Sequence, residues 1–145
     1  MKFDLRIYVL ILGYDPLRIF IYDEGLGRFA TEKYQKVQKK NMKDVHMHLT
    51  NYAINKNNKN FIFNSSEKDM NKGHKRSLSA IYNYLNSKGI DTAKIKKKID
   101  EMIIKTLIVG QPMIAHTYGL AQADLHSNDL CFQILGFDVL INEKL

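Results

Sequence analysis

The chain has 145 residues, 45% hydrophobic and 26% charged, a balance typical of one globular domain or part of one rather than of a disordered chain. Its 22 lysines and arginines exceed its 15 acidic residues, and the formal net charge of +7 favours either acidic partners or simply a well-solvated basic surface. A single cysteine excludes a disulfide framework and a multi-cysteine metal site, and no stretch has the length of a transmembrane helix.

The first thirty residues predict strands joined by turns. Residues 3–12 are rich in Ile, Leu, Val and Tyr, and their second half is apolar on both faces, as in a central strand covered on both sides. Residues 13–16 predict a turn, and residues 17–22 a second strand that completes an antiparallel hairpin. Residues 23–27 predict another turn, and residues 28–30 begin a short third strand.

Two polar stretches separate these strands from the rest of the chain. Residues 34–44 are rich in lysine and predict a surface segment. Residues 55–72 are dominated by Asn, Lys and Ser and predict a long loop, which in a compact domain is usually functional or disordered.

The second half of the chain predicts two helices and a strand. Apolar residues at helical spacing begin at Leu78, with Ser77 as the N-cap and Gly89 just past the end. Asp91 caps a second helix, which Gly110 and Pro112 punctuate and which can continue through residue 118. Residues 131–141 predict the last strand, with Cys131 packed within it. Strands, then helices, then a strand predict an α+β domain.

Charges near the start of the first strand are the strongest chemical signal. Side chains of a strand alternate between its faces, so Lys2, Asp4 and Arg6 share one face. Such a set suits an anionic ligand, because Lys supplies a point charge, Arg a fork for phosphate or carboxylate, and Asp an acceptor. The alternative is an exposed strand end on which the three charges pair with one another.

Asp138 is a second signal because it lies among apolar residues on both sides. A buried carboxylate needs a cation, a metal or several N–H donors, so the pattern leaves two interpretations open. Asp138 either binds a hard cation such as Mg²⁺, together with phosphate oxygens, or caps a turn or pairs with an arginine of the core.

Polar groups in two other places are weaker candidates. His46 and His48 are spaced as an H-x-H metal pair on a strand, but the lack of a matching third ligand argues against zinc. Thr50 and Asn51 are able to reach phosphates or a ribose, and Arg28 is a candidate carboxylate clamp. No Gly-rich phosphate loop, Ser-His-Asp arrangement or nucleic-acid module is recognisable.

Five stretches in chain order carry a family resemblance. They read KFDLRIYVL at residues 2–10, DPLRI at 15–19, EGLGRFAT at 24–31, HLTNYAINK at 48–56, and CF followed by LGFDVLI within 131–141. Together they resemble signature stretches of the tubulin–tyrosine-ligase-like family, and GHK at residues 73–75 resembles its glutamate-ligating branch.

The resemblance implies an ATP-grasp-like fold, a partial α+β domain over residues 1–145, with ATP and Mg²⁺ as cofactors. It implies one set of roles: Arg6 as the catalytic residue facing the phosphates; Lys2, Asp4, Thr50 and Asn51 as ATP contacts; Arg28, Tyr52 and Lys56 as ligands of the amino acid or acceptor carboxylate; and Asp138 as a Mg²⁺ ligand.

The implied activity is ATP-dependent ligation of glutamate onto side-chain carboxylates of tubulin C-terminal tails through an acyl phosphate. The implied partners are glutamate and the acidic tails of tubulin or microtubules, with neither nucleic acid nor membrane. The implied location is the cytoplasm and cytoskeleton, with the cilium and basal body as candidate sites. The alternatives are a tyrosine or glycine ligase of the same family, and a non-catalytic microtubule-binding remnant.

The sequence departs from the family pattern at both ends. The ATP-binding lobe expected before Lys2 and the Glu and Asn metal ligands expected beyond Leu145 are absent from the 145 residues. We therefore expect residues 1–145 to be an internal part of the catalytic domain, cut at both ends and inactive in isolation.

Overall fold

A computed structural model describes residues 1–64, 66, 69–121 and 131–142. Its elements, in chain order, are β1 (Phe3–Tyr14), β2 (Leu17–Phe29), α1 (Val45–His48), α2 (Tyr52–Asn55), β3 (Lys75–Ser77), α3 (Leu78–Ser87), α4 (Thr92–Ala121) and β4 (Gln133–Leu140). The strands form one sheet in the order β3-β2-β1-β4. The β1–β2 hairpin and the antiparallel β2–β3 pair, with helices alongside, confirm the α+β class.

The first strand forms where the sequence predicts it. Leu5, Ile7, Val9 and Ile11 are almost completely buried, while the residues between Ile7 and Ile11 on the other face are only half-buried. Alternation of this kind belongs to a strand with one well-covered face. The prediction that β1 is covered on both faces is therefore wrong for the described structure.

A single long strand replaces the predicted turn at residues 23–27 and the third strand at residues 28–30. β2 runs without a break from Leu17 to Phe29. Its glycines serve close packing: a Cβ on Gly25 would lie 2.4 Å from the Arg6 carbonyl oxygen, and a Cβ on Gly27 would lie 1.8 Å from Cδ1 of Ile81. Glycine in a strand often marks such a close approach.

Both long helices begin at the predicted caps. The Ser77 hydroxyl accepts a hydrogen bond from the Ala80 N–H at the start of α3, and Gly89 follows that helix with a φ of +76°. The Asp91 carboxylate accepts from the Lys94 N–H at the start of α4. α4 continues past Gly110 and Pro112 to Ala121.

The last strand differs from its prediction at one end. β4 begins at Gln133, and Cys131 lies exposed before it, so the prediction of a packed cysteine within the strand is wrong. β4 is an edge strand of the sheet, and only Val139 among its residues is buried. An apolar run on an edge strand therefore does not imply burial of every side chain.

The chain divides into two compact units, Met1–Arg6 with Glu24–Ile90 and Asp138–Leu145, and Ile7–Asp23 with Asp91–Phe137. In the first unit, glycines of β2 pack against Leu78 and Ile81 of α3. In the second unit, the buried side chains come from β1 and from one stripe of α4: Ile7, Val9, Ile11, Ile95, Ile99, Ile103 and Leu107. In the described residues, no helix has the length and apolar character needed to cross a membrane.

Candidate active site

Arg28 and Asp4 form the most buried ion pair among the described residues of the first unit. The Arg28 Nε donates to Asp4 Oδ1 at 3.0 Å, and its Nη2 donates to Asp4 Oδ2. The two side chains are only 14% and 5% exposed. A bidentate Arg–carboxylate pair fixes both groups in one geometry, because the planar fork matches the two oxygens.

Asp138 extends this pair into a cluster of four charges. Arg6 bonds Asp138 through its Nε and, at 3.0 Å, through its Nη2, while the Arg28 Nη2 lies 2.8 Å from Asp138 Oδ1. We call these four residues the charge cluster: Asp4, Arg6, Arg28 and Asp138. It lies on the face of the sheet opposite α3, since the glycines that touch α3 alternate with Arg28 along β2.

Mutual pairing shifts the pKa values of Asp138 and Arg28. Burial raises the pKa of the Asp138 carboxyl, but the hydrogen bonds from Arg6 and Arg28 outweigh it and hold that pKa below its ordinary value. Bonding to Asp4 raises the pKa of the Arg28 guanidinium above its already high value. Arg28 and Asp138 are therefore both charged at neutral pH. Among the described residues, Arg6 donates two of its about five N–H groups, both to Asp138, which leaves donors for an anionic ligand.

A second group of predicted residues lies on the segment from α1 to α2. Lys2 donates from Nζ to the His48 carbonyl oxygen at 2.7 Å, which ties the start of the chain to this segment. Thr50 is buried and Asn51 exposed, and no hydrogen bond among the described residues joins either side chain to the charge cluster. His46 and His48 lie in the short helix α1, so their predicted placement on a strand is wrong.

Asn55 holds this segment in place. Its Oδ1 accepts from both the N–H and the hydroxyl of Thr31, at 3.0 and 2.9 Å. Its Nδ2 donates to the carbonyl oxygens of Leu49 and Asn51, at 2.7 and 3.1 Å. The side chain is completely buried and its carboxamide is fully engaged, which is what a buried amide requires.

Tyr52 and two lysines form a further polar group. The Nζ atoms of Lys56 and Lys75 lie 5.7 and 5.9 Å from the centroid of the Tyr52 ring, within cation–π range. Lys75 is directly opposite Arg28 in the antiparallel β2–β3 ladder, so the two side chains share one face of the sheet. Lys75 thereby connects the Tyr52 group to the charge cluster.

A family model decides the classification. The model described as "Tubulin-tyrosine ligase family" matches residues 1–145, the whole chain. The chain belongs to the tubulin-tyrosine ligase family. This confirms the resemblance carried by the five sequence stretches.

Curated members of the tubulin-tyrosine ligase family match along the same length. The chain is 52% identical over 145 residues to the "Probable beta-tubulin polyglutamylase" of Tetrahymena thermophila, covering 100% of this chain and 12% of that protein. It is 46% identical over 144 residues to "Tubulin polyglutamylase TTLL6" of Mus musculus, covering 99% and 17%. It is 42% identical over 146 residues to "Tubulin polyglutamylase TTLL7" of Xenopus tropicalis, covering 99% and 16%. The chain thus spans less than a fifth of the length of these relatives.

The expected burial of Asp138 is wrong, which changes the argument for a metal at this carboxylate. Its side chain is 46% exposed and its partners are two arginines, one of the two interpretations that the sequence left open. No cluster of three or more His, Cys, Asp or Glu occurs in the described part of the chain. A single exposed carboxylate fits Mg²⁺ only in company with phosphate oxygens, as Mg²⁺ is usually bound beside a nucleotide.

The sequence analysis assigned no role to two residues of this site, Lys75 and Asn55. Lys75 lies within the GHK stretch at residues 73–75 but was given no role, and only strand pairing brings it opposite Arg28. Asn55 lies within the family signature stretch, but only the fold reveals its complete burial and its bonds to Thr31. The sequence does carry one signal for Asn55, which lies four residues after Asn51. At this helical spacing a side-chain amide is able to reach a backbone carbonyl, and in the structure it bonds that of Asn51.

Proposed function

We propose that the protein ligates glutamate onto side-chain carboxylates of tubulin C-terminal tails in an ATP-dependent reaction. Two things support this: the match to proteins named tubulin polyglutamylases at 42 to 52% identity, and the charge cluster that gathers Asp4, Arg6, Arg28 and Asp138 on one face of the sheet. The cluster is the observation that carries the proposal, because an anionic phosphoryl group and an anionic carboxylate need fixed cations beside them.

The proposed chemistry proceeds in two balanced steps. The acceptor carboxylate takes the terminal phosphoryl group of ATP, so that an acyl phosphate forms and ADP leaves. The amine of the incoming glutamate then attacks the acyl carbon, a C–N bond forms, the C–O bond to phosphate breaks, and the amine loses a proton. The products are an isopeptide bond, ADP and inorganic phosphate.

Arg6 is the proposed catalytic residue. Its guanidinium is a third exposed and held in one orientation by Asp138, while its remaining N–H donors are available to a phosphoryl oxygen. A donor positioned in advance costs no reorganisation when charge develops, and removing one such donor typically costs about a hundredfold to a thousandfold in rate.

The remaining roles are proposed from the family resemblance. Lys2, Asp4, Thr50 and Asn51 are proposed as ATP contacts. Arg28, Tyr52 and Lys56 are proposed to bind the amino acid or the acceptor carboxylate. Arg28 already bonds two carboxylates of the protein, which supports an orienting contribution in addition to any substrate contact. Asp138 is proposed to hold Mg²⁺ jointly with nucleotide phosphates, and the ion would supply charge neutralisation at those phosphates.

The fold, the partners and the cellular location are also proposals. We propose an ATP-grasp-like domain, consistent with an antiparallel sheet whose charged face lies opposite its helix. The proposed partners, tubulin tails and glutamate, are anionic, which suits a net charge of +7. The proposed location is the cytoskeleton, including the cilium and basal body, and light microscopy of the tagged full-length protein with a microtubule counterstain tests it.

Incorporation of labelled amino acids tests the activity. Full-length protein is incubated with tubulin, ATP and Mg²⁺ and with labelled glutamate, glycine or tyrosine in parallel. We expect ATP-dependent label from glutamate, recovered in the C-terminal tail peptides. Label from glycine or tyrosine instead would assign the protein to another ligase of the family, and binding to microtubules without any ligation would identify a non-catalytic remnant.

A further inference from the structure

An apolar groove lies beside Tyr52 in the first unit. Its volume is about 260 Å³ and its lining is Leu26, Tyr52, Phe61, Phe63, Asn64, Met70 and Lys75. This set of residues is called the aromatic groove below. The volume is below the roughly 300–1,000 Å³ of small-molecule pockets, so the groove suits one side chain better than a whole cofactor.

The wall of the aromatic groove is held in shape by ring contacts. Phe61 packs edge-to-face against Phe63 and Tyr52, with ring centroids 4.7 and 5.8 Å away, and stacks on the buried His74 at 5.3 Å. His74 in turn accepts a hydrogen bond at Nδ1 from the Ile62 N–H, at 3.0 Å. A groove built in advance binds more tightly, because less freedom is lost on binding.

Large apolar surfaces at the aromatic groove are left to solvent. Phe63 is 61% exposed and Tyr52 45% exposed. Adjacent exposed aromatic side chains with a polar rim are typical of a binding site, whereas single exposed apolar residues need no explanation. The exposed rings of Phe63 and Tyr52 are therefore suited to pack against an apolar group of a ligand.

The rim of the aromatic groove is positive. The Nζ atoms of Lys56 and Lys75 both lie within 6 Å of the Tyr52 ring centroid. An apolar side chain whose chain neighbours carry negative charge would match both the groove and its rim. Charge complementarity thus selects an acidic peptide over a neutral one.

Strand pairing places the aromatic groove beside the charge cluster. Lys75 of the groove is opposite Arg28 of the cluster, and Leu26 of the groove lies two residues from Arg28 on the same face of β2. Residues directly opposite in an antiparallel ladder have Cβ atoms about 4.5–5.5 Å apart. If a glutamate of a bound peptide reaches the charge cluster, a peptide residue near that glutamate in sequence would lie over the aromatic groove.

We propose that the aromatic groove is a specificity subsite for an apolar side chain, preferably aromatic, that lies within a few residues of the modified glutamate in an acidic acceptor peptide. This inference rests on the proposed ligase function. It adds a preference among acidic peptides that charge alone does not provide.

Peptide binding to the full-length protein tests the subsite. Two fluorescent glutamate-rich peptides are compared by anisotropy, identical except that one carries a Phe near its centre and the other an Ala. We expect about tenfold tighter binding of the Phe peptide, the scale on which apolar pockets discriminate. In Phe63→Ala the two peptides should bind with about equal affinity, and the affinity for the Ala peptide should change little.

Matched controls keep the outcome interpretable. Phe20→Ala removes another exposed aromatic ring, 53% exposed on β2 in the second unit, and should preserve the preference. Equal binding of the two peptides to the unaltered protein, or a preference that survives in Phe63→Ala, would overturn the subsite. A neutral Phe peptide that binds as tightly as the acidic one would overturn it as well.

A ligation assay with the same peptides separates the two proposals. If glutamate is ligated onto both peptides with the same KM, the ligase proposal stands and the subsite is refuted. If neither peptide is modified but the Phe preference in binding is present and lost in Phe63→Ala, the subsite stands and the ligase proposal is refuted for these acceptors.

Discussion

Asn55 accepts two hydrogen bonds from Thr31, one from its backbone N–H and one from its hydroxyl, and thereby joins α2 to the segment that follows β2. The same carboxamide donates to two carbonyl oxygens of the Leu49–Asn51 turn. One buried side chain thus fixes the backbone that carries Thr50, Asn51 and Tyr52, three residues proposed to contact the nucleotide or the substrate.

Replacement of this amide should loosen the segment. Asn55→Ala removes the side-chain partner of the Thr31 N–H and of the Leu49 carbonyl oxygen, whereas the Asn51 carbonyl oxygen keeps its bonds from the backbone N–H groups of Ile54 and Asn55. Each group left buried and unsatisfied costs about 1–3 kcal/mol. We expect a lower melting temperature of the full-length protein and faster amide hydrogen exchange over residues 49–56. Asn57→Ala, at an exposed position two residues away, is the matched control. Unchanged exchange in Asn55→Ala would contradict this assignment.

The ion pair between Arg28 and Asp4 should behave as a coupled unit. Arg28→Met leaves the Asp4 carboxylate buried without its partner, and breaking a buried pair in this way typically destabilises by about 3–5 kcal/mol. Arg28→Met combined with Asp4→Asn should cost less than the sum of the two single changes. Chemical denaturation of the four proteins measures the coupling, and strictly additive effects would indicate that the pair is not formed.

His74 should make stability depend on pH in the mildly acidic range. Burial, reinforced by the positive charge of Arg76, holds the pKa of His74 below its ordinary value of 6.5. The unfolded chain therefore takes up a proton before the folded protein does, so stability is full above pH 6.5 and is lost as the pH falls from there towards the lowered pKa. Thermal melting between pH 8 and pH 5 measures this dependence.

A non-titrating replacement tests the source of that dependence. His74→Asn keeps an acceptor for the Ile62 N–H but takes up no proton, so we expect lower stability at pH 8 and a flatter response to acid. His116→Asn, at an exposed position of α4, should retain the full response. Equal slopes in the unaltered protein and His74→Asn would rule His74 out as the titrating group.

Salt should weaken the capture of acidic acceptors. The net charge of +7 attracts an acidic tail over distances comparable to the Debye length, about 10 Å at 0.1 M salt. We expect the KM for a glutamate-rich peptide to rise severalfold between 0.05 and 0.3 M salt, on the order expected for screened surface charge, while kcat changes little. A KM that is insensitive to salt would remove electrostatic steering from the account.

Local patterns in the sequence were sufficient for much of the fold. A run rich in Ile, Leu, Val and Tyr predicts β1, and the caps at Ser77 and Asp91 mark the starts of both long helices, because each signal involves residues that are close in sequence. Gly25 and Gly27 were misread as a turn, since their need for a missing side chain comes from the distant Arg6 carbonyl oxygen and Ile81. That requirement is invisible without the tertiary structure.

The sequence singles out the residues of the charge cluster, but it does not predict which of them bond to one another. The sequence singles out Asp4, Arg6, Arg28 and Asp138 one by one, and the structure brings the four together. Which arginine pairs with which carboxylate depends on strand register across the sheet, and no local pattern encodes it. The expected burial of Asp138 failed for a related reason, because edge position is a property of the whole sheet.

Glutamate ligation by charge-cluster variants of the full-length protein tests the central claim most directly. Arg6→Ala and Asp138→Ala are compared with Lys94→Ala, an exposed lysine of α4, after melting curves confirm that all three proteins are folded. We expect both cluster variants to lose at least about a hundredfold in kcat, with Lys94→Ala unaffected: Arg6→Ala removes the charge-stabilising donor, and Asp138→Ala removes the carboxylate that orients it. Normal ligation by either Arg6→Ala or Asp138→Ala would contradict the assignment of the charge cluster as the active site.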